Sequence, residues 1–163
     1  CFTPNKVMSN RAVVPIFEDT GQYAIGFTGR LMGEGQPKWK HHGFKASEAL
    51  YNYWFASSHI KKSSTAILLE SPGNTWKMVE AGYNNCVALF GLNFSISQQF
   101  LLEKIGVTNI ISVFDNDEAG NLGRKRLDEE CARYYNIRHI IPIKNDVGEM
   151  NVEDIKILMD KCK

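Results

Sequence analysis

Short runs of apolar residues recur along the second part of the chain and alternate with stretches of helical periodicity. The runs at 66–70, 86–90 and 109–114 are mostly apolar, which is typical of strands buried on both faces of a sheet. A fourth run lies at 138–143. Because strand and helix alternate four times, the pattern predicts an α/β fold with a doubly wound parallel sheet of about four strands and flanking helices.

Capping signals and apolar spacing mark the helices between these strands. Residues 95–98 match a capping box, and the helix that they begin is predicted to end at Gly106. Further helices are predicted over 74–81, with Gly82 as the C-terminal stop, and over 152–159. The helix after the third strand is predicted to turn one apolar stripe toward the sheet, formed by Ala119, Leu122, Leu127, Cys131 and Tyr134.

The first 65 residues have the pattern of a small mixed α+β unit. Two β-rich runs at 13–17 and 23–27 are joined by turn-forming residues at 18–22. Pro15 indicates that the first of these strands is an edge strand or contains a bulge. A helix with one apolar face is predicted from residue 47 to about residue 57.

The two patterns meet at the polar stretch KKSS, residues 61–64. We therefore predict a small basic α+β domain over 1–62 and an α/β domain over 63–163. Charge follows a similar division, since residues 1–65 hold eight basic and four acidic side chains, whereas residues 66–163 hold 11 basic and 14 acidic ones. A basic unit beside an acidic one fits a nucleic-acid surface next to a metal site.

The composition of the 163-residue chain excludes several classes of protein. With 44% hydrophobic and 11% aromatic residues, it does not resemble a disordered chain. No run approaches the ~18–20 apolar residues of a membrane helix, so no membrane partner is predicted. The four cysteines form no C-x-x-C pair, which favours reduced thiols and a cytoplasmic location over a zinc ribbon or disulfide scaffold. Because the chain begins with Cys, we expect a fragment of a longer protein.

Acidic side chains are predicted to meet at one edge of the parallel sheet. Glu70 ends the first strand of this sheet, Asp115 and Asp117 follow the third, and Asp146 follows the fourth. Since ligands bind beyond the carboxyl ends of parallel strands, these carboxylates form a candidate site. Carboxylates without His or Cys favour Mg²⁺ or Mn²⁺ over zinc, and such ions commonly bridge substrate phosphates. The alternatives are that Asp117 only caps the next helix and that Glu70 is an ordinary loop residue.

The same residues resemble a known domain family. Glu70 at a strand end and the sequence DNDEAG at 115–120 are similar to the Toprim domain of DnaG-like primases, topoisomerases, OLD-type nucleases and RecR-type recombination proteins. Within that set the first part of the chain resembles the primases, and the resemblance extends over most of the chain. It is carried, in order and spacing, by RAVVPIF at 11–17, IGFTGR at 25–30 and PKWK at 37–40.

The resemblance implies the catalytic core of a bacterial or phage-type DNA primase, with Mg²⁺ or Mn²⁺ as cofactor. Glu70, Asp115 and Asp117 would be catalytic metal ligands, and Asp146 would be a further ligand. Glu70 as a general base is the alternative role. Primer synthesis joins ribonucleotides on a single-stranded DNA template, so template and ribonucleotides are the implied partners, with a replicative helicase as a further one.

Three basic residues of the first part of the chain match primase positions that face the template or the incoming nucleotide. The resemblance therefore implies that Arg11, Arg30 and Lys38 bind nucleic acid or nucleotide. It also implies a cytoplasmic role in bacterial, phage or plasmid DNA replication.

Two acidic positions of the family pattern are lost. Family members usually read E-G-x-x-D, whereas this chain has Ser71 in place of Gly and Asn74 in place of Asp, and Gly148 stands where a second acid is common. Fewer anionic ligands favour one alternative, a non-catalytic nucleic-acid-binding Toprim module of a replication or recombination complex. A second alternative is an OLD-type metal-dependent nuclease, which the primase-like first part of the chain argues against.

Overall fold

Two β-sheets organise the part of the chain that the computed structural model describes, residues 6–160. The front sheet is antiparallel and consists, in this order, of β1 (Arg11–Phe17), β2 (Ala24–Leu31) and β3 (Trp39–His42). Pro15 lies in β1, an edge strand of this sheet with an irregularity at its end, as predicted. β3 is absent from the sequence-based prediction because WKHH has no apolar alternation, and its extended form depends on pairing with β2.

The first helix begins later than the sequence predicts. α1 spans Tyr53–Ser63, so the prediction of a helix over 47–57 is wrong in position. Ala46–Glu48 form a separate 3-10 turn. The Tyr51 backbone pairs with Ala88 of the other sheet, which keeps the chain before α1 extended. A tertiary contact thus overrides the local helical pattern.

The predicted domain boundary at residue 62 falls within α1. This helix packs on the second sheet, because its buried side chains Tyr53, Ala56 and Ile60 share a core with Leu68 and Val87. The division into domains over 1–62 and 63–163 stays a prediction.

The second sheet is parallel, which confirms the predicted fold class. Its strands are β4 (Thr65–Leu69), β5 (Cys86–Ala88), β6 (Asn109–Ser112) and β7 (Asn136–His139), and their order is β5-β4-β6-β7. β5, β6 and β7 each end two to four residues before the predicted end. The residues beyond those ends are loops at the carboxyl edge of the sheet, where a ligand site is expected.

Helices cover both faces of the parallel sheet. The remaining helices are α2 (Pro72–Glu80), α3 (Ile96–Glu103), α4 (Glu118–Cys131) and α5 (Val152–Asp160). One core joins the sheet to α1, α3 and α4, and a second core joins it to α2 and α5. The predicted capping box at the start of α3 is present, with Ser95 and Gln98 each accepting a backbone hydrogen bond from the other.

The predicted apolar stripe of α4 is only partly correct. Leu127 and Cys131 are buried, whereas Leu122 and Tyr134 are more than half exposed. The helix also lies close to the loops that follow β5 and β6 at Gly123, where an added Cβ would lie 2.8 Å from the Leu92 side chain and 3.3 Å from the Phe114 ring. The absence of a side chain at Gly123 allows this close contact.

Two further predictions concern the cysteines and the membrane. Cys86 and Cys131 are buried free thiols, and Cys1 and Cys162 lie outside the described residues. Within residues 6–160, the helices are too short and too polar to span a bilayer.

Candidate functional site

Glu70 and Asp115 meet at the carboxyl edge of the parallel sheet. Glu70 directly follows β4, and Asp115 lies three residues beyond β6, the neighbouring strand. The Asp115 backbone N–H donates a hydrogen bond of 2.8 Å to Glu70 Oε1. Asn74, near the start of α2, donates from Nδ2 to Asp115 Oδ1 at 3.1 Å. The two predicted catalytic carboxylates are thus adjacent and are oriented by hydrogen bonds.

The electrostatic environment of both carboxylates disfavours their charged forms. Burial, together with the charges of Asp115 and Asp117, raises the pKa of Glu70 to about 7. Burial and the charge of Asp146 raise the pKa of Asp115 to about 6, although the Asn74 hydrogen bond and Lys38 act in the opposite direction. A site of mutually repelling carboxylates attracts cations, because a bound cation relieves the repulsion.

Asp117 and Asp146 have local capping contacts. Asp117 Oδ1 accepts a hydrogen bond of 2.7 Å from the Gly120 N–H at the start of α4, which is the capping role that the sequence left open. Asp146 Oδ1 accepts the Glu149 N–H at 3.0 Å in a short 3-10 turn. Both carboxylates still contribute negative charge to the site, since their charges act on Asp115 and that of Asp117 also acts on Glu70.

The predicted four-carboxylate metal site is not assembled as a chelating cluster in residues 6–160. Nowhere in this part of the chain do three or more His, Cys, Asp or Glu side chains converge closely enough to hold a metal ion. The oxygen donors that face the cleft, on Glu70, Asp115 and Asp146, nevertheless suit Mg²⁺ or Mn²⁺. Mg²⁺ usually takes one or two carboxylates and completes its shell with water and substrate phosphate, so this donor set fits such an ion.

A cleft of about 250 Å³ separates the two sheets at this edge. One wall comes from the front sheet and is basic, whereas the other comes from the parallel sheet and is acidic. Such a cleft can hold a metal ion and an anionic ligand side by side, because opposite charges line its two walls. The lining residues are Arg30, Lys38, Trp39 and His41 on the first wall and Glu70, Ser71, Pro72, Phe90, Gly91, Asp115 and Asp146 on the second.

The three predicted basic residues have different surroundings. Arg30 and Lys38 line the cleft, and the Arg30 guanidinium lies 5.7 Å from the centre of the Trp39 ring. Arg11 is not among the lining residues. Its guanidinium donates to the carbonyls of Gly29, Pro37 and Lys38 and thereby holds the connection between β2 and β3. A contact of Arg11 with nucleic acid stays a prediction.

The sequence analysis did not predict a role for Arg124, which binds backbone carbonyls next to the site. This residue of α4 is 6% exposed and donates to the carbonyls of Phe114 and Asp115 and to Asn121 Oδ1. Its charge acts on Glu70 and Asp115 and favours their ionised forms. The sequence offers no signal for this role, because Arg124 lies in a run of charges whose other members are exposed.

Glycine at position 120 allows α4 to start directly against Asp115. A Cβ added there would lie 2.0 Å from the Asp115 carbonyl oxygen, a distance that only a backbone shift could relieve. The DNDEAG sequence therefore serves the site twice, through its carboxylates and through this close approach.

Comparison with known proteins places these features in a family. Residues 64–140 match the Toprim domain model. The DNA primase of Chlamydia pneumoniae is 30% identical over 131 residues, which cover 77% of this chain and 22% of that protein. The DNA primase of Geobacillus stearothermophilus is also 30% identical, over 68% of this chain and 19% of its own length. The chain thus spans about a fifth of the length of these curated relatives.

Solved primase structures also resemble this chain. The Aquifex aeolicus primase, comprising zinc-binding and RNA polymerase domains, superposes with a TM-score of 0.80 and 25% identity over 98% of this chain and 43% of that one. A DnaG primase catalytic domain bound to single-stranded DNA shares the fold, with a TM-score of 0.77 and 22% identity over 93% of this chain and 51% of that one. These matches identify residues 64–140 as a Toprim domain and the chain as a relative of the DnaG-like primases.

Proposed function

We propose that this chain is part of a DNA primase core and joins ribonucleotides on a single-stranded DNA template by metal-dependent nucleotidyl transfer. The observation that carries the proposal is the cleft in which Glu70 and Asp115 lie opposite Lys38 and Arg30. A carboxylate wall suits a divalent ion, and a basic wall suits the phosphates of a nucleotide. The similarity of the chain to DNA primases supports this assignment.

In this reaction the 3′-hydroxyl of one nucleotide attacks the α-phosphate of the next, and pyrophosphate leaves. When bound, Mg²⁺ or Mn²⁺ would supply Lewis-acid stabilisation of the charge that develops at the phosphate. Asp115 is its first candidate ligand, because Asn74 and Arg124 fix both its carboxylate and its backbone. Glu70 is a second ligand or the acceptor of the hydroxyl proton. Asp117 and Asp146 add negative charge.

The basic wall is assigned to the nucleic acid and the nucleotide. Arg30 and Lys38 line the cleft, so their charges can neutralise phosphates there, and such contacts weaken as salt increases. A relative of the same fold has been solved with single-stranded DNA, which supports this partner. A replicative helicase and a bacterial, phage or plasmid replication setting belong to the same proposal.

One assay separates this function from its alternatives. The protein as it occurs in the cell is incubated with single-stranded DNA, labelled ribonucleotides and Mg²⁺ or Mn²⁺, and both RNA synthesis and DNA cleavage are followed. Template-dependent RNA synthesis supports the primase. Cleavage without synthesis would assign an OLD-type nuclease, and DNA binding with neither product would assign a binding module. The altered positions Asn74 and Gly148 make the last outcome the main alternative.

A further inference from the structure

His41 occupies a defined place on the basic wall of the cleft. It lies on β3, three residues after Lys38, and both side chains line the cleft together with Arg30. The imidazole is partly buried, and this burial lowers the pKa of His41 from its usual value. In the absence of a ligand the ring is therefore neutral near pH 7.

The ring of His41 is held from several sides. Its Nδ1 lies 2.9 Å from Oγ1 of Thr28, a fully buried residue of the neighbouring strand β2. The rings of Phe44 and Phe90 contact it in T-shaped arrangements, with ring centres 5.6 Å and 5.0 Å away. Phe90 has a left-handed backbone, with φ of 62°, which is unfavourable for a large residue. The fold thus accepts strain at the residue that supports this imidazole.

The hydrogen bond to Thr28 leaves one ring nitrogen for a ligand. Because Nδ1 is engaged by Thr28, Nε2 is the remaining polar atom of the ring. No hydrogen bond joins Nε2 to any group within residues 6–160. A rigid imidazole with one free nitrogen on the wall of a charged cleft is suited to bind a ligand with little loss of conformational entropy.

We propose that His41 binds a phosphate group through Nε2, next to Lys38, in the cleft between the two sheets. This inference rests on the proposed function, which places a nucleotide in the same cleft. The acidic wall repels phosphate, so a phosphate lies against the wall formed by Arg30, Lys38 and His41. Its negative charge favours protonation of the imidazole, and the protonated ring donates a charge-assisted hydrogen bond to the phosphate oxygen.

The phosphate has two sources, the triphosphate of a ribonucleotide and the backbone of the DNA template. Steady-state kinetics on single-stranded template distinguish them, with His41→Ala compared with His42→Ala. His42 is a matched control because it is the next residue and is exposed. We expect His41→Ala to raise either the KM for ribonucleotide or the Kd for DNA about tenfold or more, with little change in kcat, as expected for a lost hydrogen bond to a charged group. Equal values for the two variants would overturn the inference.

A second measurement does not depend on activity. Nitrogen NMR of the histidine rings in the wild-type protein, with inorganic pyrophosphate as the probe and no metal, should shift Nε2 of His41 toward the protonated frequency and leave His42 unchanged. No shift at His41 would overturn the inference even if synthesis is observed. If the protein synthesises no RNA but His41 responds to pyrophosphate, the proposed function fails and the phosphate site stands.

Discussion

Glu70 Oε1 accepts a 2.8 Å hydrogen bond from the backbone N–H of Asp115. β4 and β6 are the two central strands of the parallel sheet, and this bond connects the residues that follow them. Glu70 and Asp115, the first carboxylate residues after the two strands, therefore form one hydrogen-bonded unit. Asn74 extends the unit through its bond to the Asp115 carboxylate. Because Asn74 is an amide, it orients Asp115 without adding negative charge.

Asn74→Asp should strengthen metal binding. The substitution places a third carboxylate beside Asp115 and Asp146, and the added negative charge attracts a divalent cation. We expect Mn²⁺ affinity to increase about tenfold, which corresponds to about 1.4 kcal/mol. Titration calorimetry measures it, with Asn93→Asp as a control that adds the same charge at an exposed position. Equal Mn²⁺ affinities in the two variants would show that position 74 does not belong to the metal site.

The stability of the metal-free protein should decrease as the pH rises from about 4.5 to about 7. The pKa of Glu70 is raised from 4.5 to about 7 in the folded chain, so the folded state binds this proton more tightly than the unfolded state. Protonation therefore stabilises the fold, and this contribution is lost as Glu70 ionises. Asp115, with its pKa raised to about 6, acts in the same direction.

Urea unfolding in the presence of EDTA, across this pH range, measures the effect. Glu70→Gln is neutral at every pH and should reduce the slope of the free energy of unfolding against pH. An unchanged slope in this variant would assign the dependence to other groups. Adding Mg²⁺ should restore stability to the wild type near pH 7, because a bound cation favours the ionised carboxylates.

Arg124→Met should destabilise the protein and impair the site. The guanidinium is buried and donates to the carbonyls of Phe114 and Asp115, which its loss would leave without these partners. We expect a loss of about 2–3 kcal/mol in the free energy of unfolding, the scale for hydrogen bonds to a charged group. Arg126→Met, an exposed change on the same helix, should cost little. Denaturant unfolding of both variants tests the difference, and similar losses would contradict it.

The parallel sheet and its acidic edge were predictable from the sequence for physical reasons. Strands buried on both faces consist of apolar runs, and the carboxyl ends of parallel strands face one edge whatever the loops do. Glu70 and Asp115 could therefore be placed together before any contact was known. The capping role of Asp117 is a second possibility that the sequence supports, because an Asp that follows a strand often caps the next helix.

The features that the sequence could not reveal depend on tertiary contacts. β3 is extended because it pairs with β2, and α1 starts late because the Tyr51 backbone pairs with Ala88. Nothing local distinguishes the buried Arg124 from the exposed Lys125 beside it. In the same way, the sequence does not distinguish the surroundings of Arg11 and Arg30. Arg11 binds backbone carbonyls, whereas Arg30 lines the cleft.

The basic wall should determine the salt dependence of DNA binding. If Arg30 and Lys38 each neutralise one phosphate, changing both to Ala should reduce the slope of log affinity against log salt by about 1.4, since each contact on single-stranded DNA contributes about 0.7. Lys61→Ala combined with Lys62→Ala removes the same charge from an exposed helix end and serves as the control. Fluorescence anisotropy from low to moderate salt measures both slopes. Equal slopes would place the phosphates elsewhere.

Ribonucleotide incorporation by Asp115→Asn tests the central claim most directly. The substitution keeps the size of the side chain and removes the carboxylate that Asn74 orients, while the Arg124 bonds to the Asp115 backbone carbonyl remain, so the fold should be retained. We predict that incorporation on single-stranded DNA falls by about 10² or more, the scale for loss of a key electrostatic stabiliser. Glu118→Gln, which removes one charge from an exposed residue nearby, should leave it almost unchanged. Incorporation by Asp115→Asn at the wild-type rate would contradict the account.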